Sequence, residues 1–242
     1  MRAIIVSDIH SNLEAFRSVI SDAEKRGGFD TIWSLGDLVG YGPDPGACIE
    51  LMREHDHLGV AGNHDLASVG KLGIESFNQH AAAASRWTTE QLTPEHVAYL
   101  SELPLRIETD GFTAVHGSPC DPVWEYVVSV AAAANFDHFE TPRCLVGHSH
   151  IPFICTLGET GPSFKDYPPD EAVVLGTERR ILNPGGVGQP RDGDPRSSYT
   201  IYDSDADSIA HHRVEYDIPA TQEKMTERGL PRYLIDRLTY GR

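Results

Sequence analysis

Residues 1–35, MRAIIVSDIHSNLEAFRSVISDAEKRGGFDTIWSL, read as strand, helix and strand in turn. Residues 2–7 are a short apolar run rich in β-branched side chains, as a strand buried on both faces requires. Helical spacing follows over residues 12–25. Leu13, Phe16, Val19, Ile20 and Ala23 share one face, and Gly27-Gly28 ends the run. A second strand at 31–35, a helix at 44–56 and a third strand at 58–61 continue the alternation. That order predicts an α/β fold around a parallel sheet.

The pattern then changes. Residues 78–91 and 94–101 read as helices. From residue 106 the chain reads as strands, at 106–109, 112–116, 143–147, 153–157, 172–175, 181–183, 198–203 and 208–214. Short turns between strands favour antiparallel pairing, so a second or mixed sheet is expected. Residues 158–171, GETGPSFKDYPPDE, read as a mobile surface loop. The tail 219–240 returns to helix, broken near 229–231. No repeat or long linker divides the chain, which predicts one domain over residues 1–242.

Composition narrows the function. Of 242 residues 40% are hydrophobic, enough to build a core and to argue against disorder. Lys and Arg number 20 against 36 Asp and Glu, a formal charge of −16. Such a surface repels phosphate backbones, so long nucleic acid is disfavoured as a partner. No apolar run is long enough for a membrane span or a signal-peptide core. Cys48, Cys120, Cys144 and Cys155 show no CxxC spacing and read as reduced thiols, which points to the cytoplasm. Oligomeric state is left open.

Five segments carry the chemistry: Asp8-Ile9-His10, Gly36-Asp37, Gly62-Asn63-His64-Asp65, His116-Gly117 and Gly147-His148-Ser149-His150. Four directly follow an expected strand, and ligands of open α/β sheets bind beyond the carboxyl ends of strands. Their side chains offer only oxygen and imidazole nitrogen, a set suited to Mn, Fe, Co, Ni or Zn. Seven such donors, Asp8, His10, Asp37, Asn63, His116, His148 and His150, exceed one tetrahedral site. They fit two divalent ions about 3.5–4 Å apart with a shared carboxylate. In a D-x-H on a strand, residues two apart point to one face, and the same holds for His148 and His150 if their strand extends that far.

These motifs resemble the calcineurin-like metallophosphoesterases, and most closely their small bacterial and archaeal YfcE-like branch. The phrases DIHSN, GDLVGYGPDP, GNHD, VHGSP, VGHSH and NPGGVGQPRDGDPRSSY carry the resemblance across nearly the whole chain. It implies a four-layer αββα sandwich of two mixed β-sheets flanked by helices. It implies that Asp8, His10 and His150 hold one metal and Asn63, His116 and His148 a second. Asp37 bridges the two together with water or hydroxide, and Mn²⁺ is the favoured ion. His64 is the family's non-ligand histidine beside the phosphate, and Asp65 orients it. The activity implied is hydrolysis of small phosphate esters, by a phosphodiesterase or broad phosphatase. A non-catalytic scaffold, a phosphoprotein phosphatase and a dinucleoside polyphosphate hydrolase are the alternatives.

Three further residues are weaker substrate candidates. Arg191 and Arg196 flank a Gly- and Pro-rich loop and have the forked donors that suit phosphate; pairing with Asp192 and Asp194 is the competing reading. Asn12 either touches substrate or caps the first helix, and the cap is favoured. Tyr41, in GYGPDP, either lines the pocket or only shapes a turn. His55, His57, His80, His96, His138, His211 and His212 lie outside the motifs, and His211 and His212 would point to opposite sides of a strand.

Overall fold

A computed structural model describes residues 1–242, with side chains described for all but residues 130–132. Twelve strands form two six-stranded sheets. In the first, β1 (Arg2–Val6), β2 (Thr31–Ser34) and β3 (His57–Gly59) run parallel. On the other side of β1 follow β11 (Ser197–Asp203), β12 (Ser208–Val214) and β9 (Ala172–Val174), all antiparallel. The second sheet runs β4 (Arg106–Thr109), β5 (Phe112–Val115), β6 (Arg143–Leu145), β10 (Arg180–Asn183), β7 (Phe153–Gly158) and β8 (Gly161–Lys165). Its β5, β6 and β10 are parallel.

Alternation along these strands builds the layers. In β1, Ile4 and Val6 join the core under α1 (Leu13–Lys25) and α2 (Pro45–Arg53), whereas Ala3 and Ile5 face the other sheet. In β5 and β6, Phe112, Ala114 and Leu145 face the first sheet, while Val115 and Cys144 face outward to Phe136 and Phe139. Trp33 sits between the sheets, its ring 5.5 Å from Phe112 and 5.6 Å from Tyr202. Burying each such aromatic side chain stabilises the fold by about 1.5–3 kcal/mol. The result is the expected four-layer sandwich, with a 3₁₀ segment (Val130–His138) on the outer face of the second sheet.

The later strands do not all form one sheet. β9, β11 and β12 return to the first, because β1 has a free edge that β11 fills with full backbone pairing from Arg2–Asp203 to Ile5–Thr200. Residues 158–171 are not wholly loop either. Gly161 at φ +112° completes a tight hairpin, and Phe164 of β8 packs 4.9 Å from Phe153. A fourth cluster joins α4 (Gln79–Gln91) to α5 (Ile218–Glu227) and α6 (Arg232–Asp236), with Tyr41 at its edge. No helix among the described residues is long and apolar enough to cross a membrane.

His211 shows how one buried group couples this fold to pH. Ser198 Oγ donates to the Pro184 carbonyl at 2.5 Å, so it accepts from His211 Nε2–H at 2.7 Å. His211 Nδ1 is buried with no partner, and burial, then Arg213, push the imidazole down to about 3. The folded value lies below the ordinary one, so the stability is full above about pH 6.5 and is lost as pH falls toward 3. His211→Gln should therefore gain on the parent by on the order of 1–2 kcal/mol between pH 6.5 and 5, read from urea midpoints. A constant difference across that range would refute the neutral buried imidazole.

Candidate metal centre

The loops that follow β1 and β2 are zipped together by their backbones. Asp8 N donates to Gly36 O at 3.0 Å, His10 N to Asp37 O at 2.9 Å and Ser11 N to Leu38 O at 3.0 Å. Gly147 N donates to His116 O at 2.8 Å, and Val187 N to Ser7 O at 2.9 Å. These links draw the carboxyl edges of both sheets to one point. Close approach there needs glycine: a Cβ on Gly36, at φ +90°, would lie 2.7 Å from Gly62 N and 2.8 Å from His116 Nδ1.

The motif residues lie beyond the strand ends. β1 stops at Val6 and β6 at Leu145, so strand pleating does not aim the D-x-H and H-x-H pairs. Instead Asp8, His10, Asp37, His148 and His150 all have left-handed backbones, with φ between 48° and 62°. Outside glycine this conformation is uncommon, and each residue held in it costs about 1–3 kcal/mol. Asn63 and His64 begin a short helix, α3 (Asn63–Ser68), which was not apparent in the sequence.

Two donor groups result. Asp8, His10 and His150 form one, and Asp37, His116 and His148 the other; within each group the candidate ligand atoms lie within 4.8 Å of one another. Asn63 Oδ1 is 3.1 Å from His116 Nε2, which places Asn63 with the second group. Each carboxylate has one oxygen tied back. Asp8 Oδ2 accepts from His148 N at 3.1 Å, and Asp37 Oδ1 from His64 N at 2.8 Å. Asp8 Oδ1 and Asp37 Oδ2 remain turned inward. Asp8 Oδ1 is buried 3.1 Å from His150 Nε2, with no N–H aimed at it, and Asp37 Oδ2 lies 3.7 Å from His10 Nε2 and 3.4 Å from His116 Nε2.

The imidazoles are oriented the same way. Nδ1–H of His10 donates to Val39 O at 3.2 Å, that of His116 to Leu35 O at 2.8 Å, and that of His150 to Gln189 O at 2.6 Å. A carbonyl only accepts, so in each neutral ring Nδ1 holds the proton and Nε2 presents a lone pair. His10 Nε2 and His150 Nε2 then face each other at 3.3 Å, two lone pairs with no proton between them. Burial, countered by Asp37, holds His10 well below its ordinary value; burial and then Arg191 lower His150. His116 differs: burial would lower it, but Asp37 raises it to about 9. Facing lone pairs and an unpaired buried carboxylate oxygen repel unless a cation lies among them, and an N/O donor set is what a borderline divalent ion takes. The residues fit a metal centre.

Around it lies a cavity of about 110 Å³. His64 lines it, with its ring 4.3 Å from Tyr41, 4.8 Å from Phe77 and 5.0 Å from His10. Burial lowers His64 to about 4, against Asp37, and its buried Nδ1 has no hydrogen bond. Asp65 does not reach that ring by hydrogen bond. Its oxygens accept from Val39 N and Gly62 N, both at 3.0 Å, tying α3 to the loop after β2. Burial, then Asp37, raise it to about 7.

The three substrate candidates separate. Arg191 lines the cavity, its guanidinium 5.9 Å from the Tyr41 ring centre and its Nε buried without a partner. Arg196 is held by Asp194 at 2.6 Å and faces a different groove. Asn12 caps α1 through Ala15 N at 3.2 Å, and its amide donates to Gly188 O at 2.9 Å. Trp124 and Tyr126 also line the cavity, although no motif marked them. Tyr126 stacks on His148 at 4.0 Å and 16°. The local hint was two aromatic residues in VWEYVV, just beyond His116-Gly117.

The family model of the calcineurin-like phosphoesterase superfamily domain matches residues 1–207. The crystal structure of a metallophosphoesterase from Sphaerobacter thermophilus superposes with a TM-score of 0.91 at 48% identity, covering 100% of this chain and 99% of that one. An uncharacterized protein of Methanocaldococcus jannaschii is 39% identical over 244 residues, 98% of this chain and 97% of its own length. A symmetrical bis(5'-nucleosyl)-tetraphosphatase of Vibrio cholerae is 29% identical over 146 residues, 57% of this chain and 51% of that enzyme, so the match spans about half of it. The fold, the paired donor groups and these matches agree: the chain belongs to the calcineurin-like phosphoesterase superfamily and is a phosphoester hydrolase with a metal-binding centre.

Proposed function

We propose that this protein is a metal-dependent phosphodiesterase for small substrates. Asp8, His10 and His150 would hold one divalent ion and Asn63, His116 and His148 a second, with Asp37 shared. The observation that carries this reading is the place of Asp37 Oδ2, which is turned inward between His10 of one donor group and His116 of the other. When bound, two such ions neutralise charge on a phosphoryl group and bring the pKa of water toward neutrality. Mn²⁺ is the favoured ion, within the borderline divalent ions that a mixed N/O set accepts.

The protein's own groups do the rest. Arg191 lines the cavity, and its guanidinium, which donates through Nη2 to Gln189 Oε1 at 3.0 Å, binds a phosphoryl oxygen. His64, fixed through its backbone N–H to Asp37, donates a hydrogen bond to the leaving oxygen. Asp65 positions His64 indirectly, by fastening the start of α3 through Gly62 N and Val39 N. Among the described residues Arg191 is the one Lys or Arg lining the cavity, which suits the single charge of a diester better than the double charge of a monoester. Asn12 and Arg196 are engaged elsewhere and receive no part. The likeness to the tetraphosphatase supports a second reading, cleavage of a dinucleoside polyphosphate.

Mn²⁺ added to chelator-treated protein at about 100 times its Kd should raise stability by about 2.7 kcal/mol, or roughly 5–10 °C in Tm. A midpoint indifferent to every divalent ion tested would contradict the centre. Asp37→Asn should weaken both ions together, seen as loss of bound metal by elemental analysis. His64→Ala should keep both ions while slowing turnover by roughly 10²–10⁴; loss of metal in that variant would place His64 wrongly. Assaying an aryl diester, an aryl monoester and a dinucleoside tetraphosphate side by side decides between the two readings.

A further inference from the structure

Tyr126 is half exposed, at 50%, although it lies against the buried metal centre. Its ring is 4.0 Å from that of His148 and tilted only 16° from it, so His148 covers one face. Half of the residue is left exposed, and it lines the cavity beside the donor groups. Trp124 stands nearby, edge-on to His148 at 6.4 Å and edge-on to Phe77 at 5.5 Å. Resting on the phosphodiesterase reading above, we propose that Tyr126, flanked by Trp124, is a stacking platform for the nucleobase of a nucleotide-ester substrate.

The chemistry favours a flat heteroaromatic group over an alkyl one. A half-exposed aromatic ring offers stacking but little enclosure, so a flexible chain laid on it stays half in water. Ser76 and Asn78 also line the cavity. Asn78 Oδ1 accepts from His80 N and Ala81 N, both at 3.0 Å, which leaves its amide N–H donors for a ligand. Ring acceptors in a planar base answer those donors. The platform also adjoins His148, so a base stacked there keeps its own phosphoryl group near the donor cluster. Stacking on one aromatic side chain strengthens base binding by roughly 5- to 150-fold.

The test uses the whole protein loaded with Mn²⁺ and two diesters with the same leaving group and charge. They are the p-nitrophenyl ester of thymidine 5'-monophosphate and ethyl p-nitrophenyl phosphate. KM should be lower for the thymidine ester by a factor within that 5- to 150-fold range. The ratio should fall to near 1 in Tyr126→Leu, which still covers His148 but cannot stack, and should survive in Tyr126→Phe. Equal KM values in the parent, a ratio that persists in Tyr126→Leu, or one lost in Tyr126→Phe would each overturn the platform. Elemental analysis checks that Tyr126→Leu keeps its metal; if it does not, Trp124→Leu takes its place and should reduce the ratio. Calorimetry with adenosine 5'-monophosphate and ribose 5-phosphate reads the same preference without turnover. If neither ester is cleaved, the phosphodiesterase reading fails, and the calorimetric preference alone then upholds or rejects the platform.

Discussion

The structure turns on the facing lone pairs of His10 and His150, 3.3 Å apart, beside an unpaired oxygen of Asp8. Such an arrangement is unfavourable by itself, because groups that could each bond to water have been buried against one another. The surrounding fold holds it in place. Carbonyls of Val39, Leu35 and Gln189 anchor the outer nitrogens of three rings, and backbone N–H groups anchor one oxygen of each carboxylate. Little side-chain freedom is left to lose when a cation enters, which is what preorganisation means here.

The backbone shares that cost. Five of the seven motif positions, Asp8, His10, Asp37, His148 and His150, adopt left-handed dihedrals that a free chain seldom visits. They persist because the loops after β1 and β2 are hydrogen-bonded to each other and because the two sheets beneath them are rigidly packed through Trp33, Phe112 and Tyr202. Strain at the site is thus balanced by burial elsewhere.

Side chains around the centre divide into two kinds. His64, Arg191 and the donor groups act on charge. Tyr41, Phe77, Trp124 and Tyr126 act on shape, forming an aromatic wall about a small cavity. The wall is drawn from the loop after β2, the approach to α4 and the loop after β5, so it exists only once distant segments meet.

Much of the donor set was legible in the sequence, because its motifs hold only Asp, Asn and His as donors and because four of the five motifs follow an apolar strand-like run. The first half of the fold was legible for a related reason: β1 to β3 and their helices are neighbours in the chain, and local periodicity records them. The aim of Asp8 and His10 was not, since strand alternation gives way to left-handed turns after Val6. Nor was the return of β11 to the edge of β1, a pairing across nearly two hundred residues that no local pattern encodes. That Asp65 fastens Gly62 and Val39 was not legible either, and Tyr126 carried no motif at all. The sequence by itself determined the chemistry available, because residue type sets which atoms can bind metal or phosphate. Only the tertiary structure decided which of those atoms face one another and what wall surrounds them, because those distances are set by packing between segments far apart in the chain.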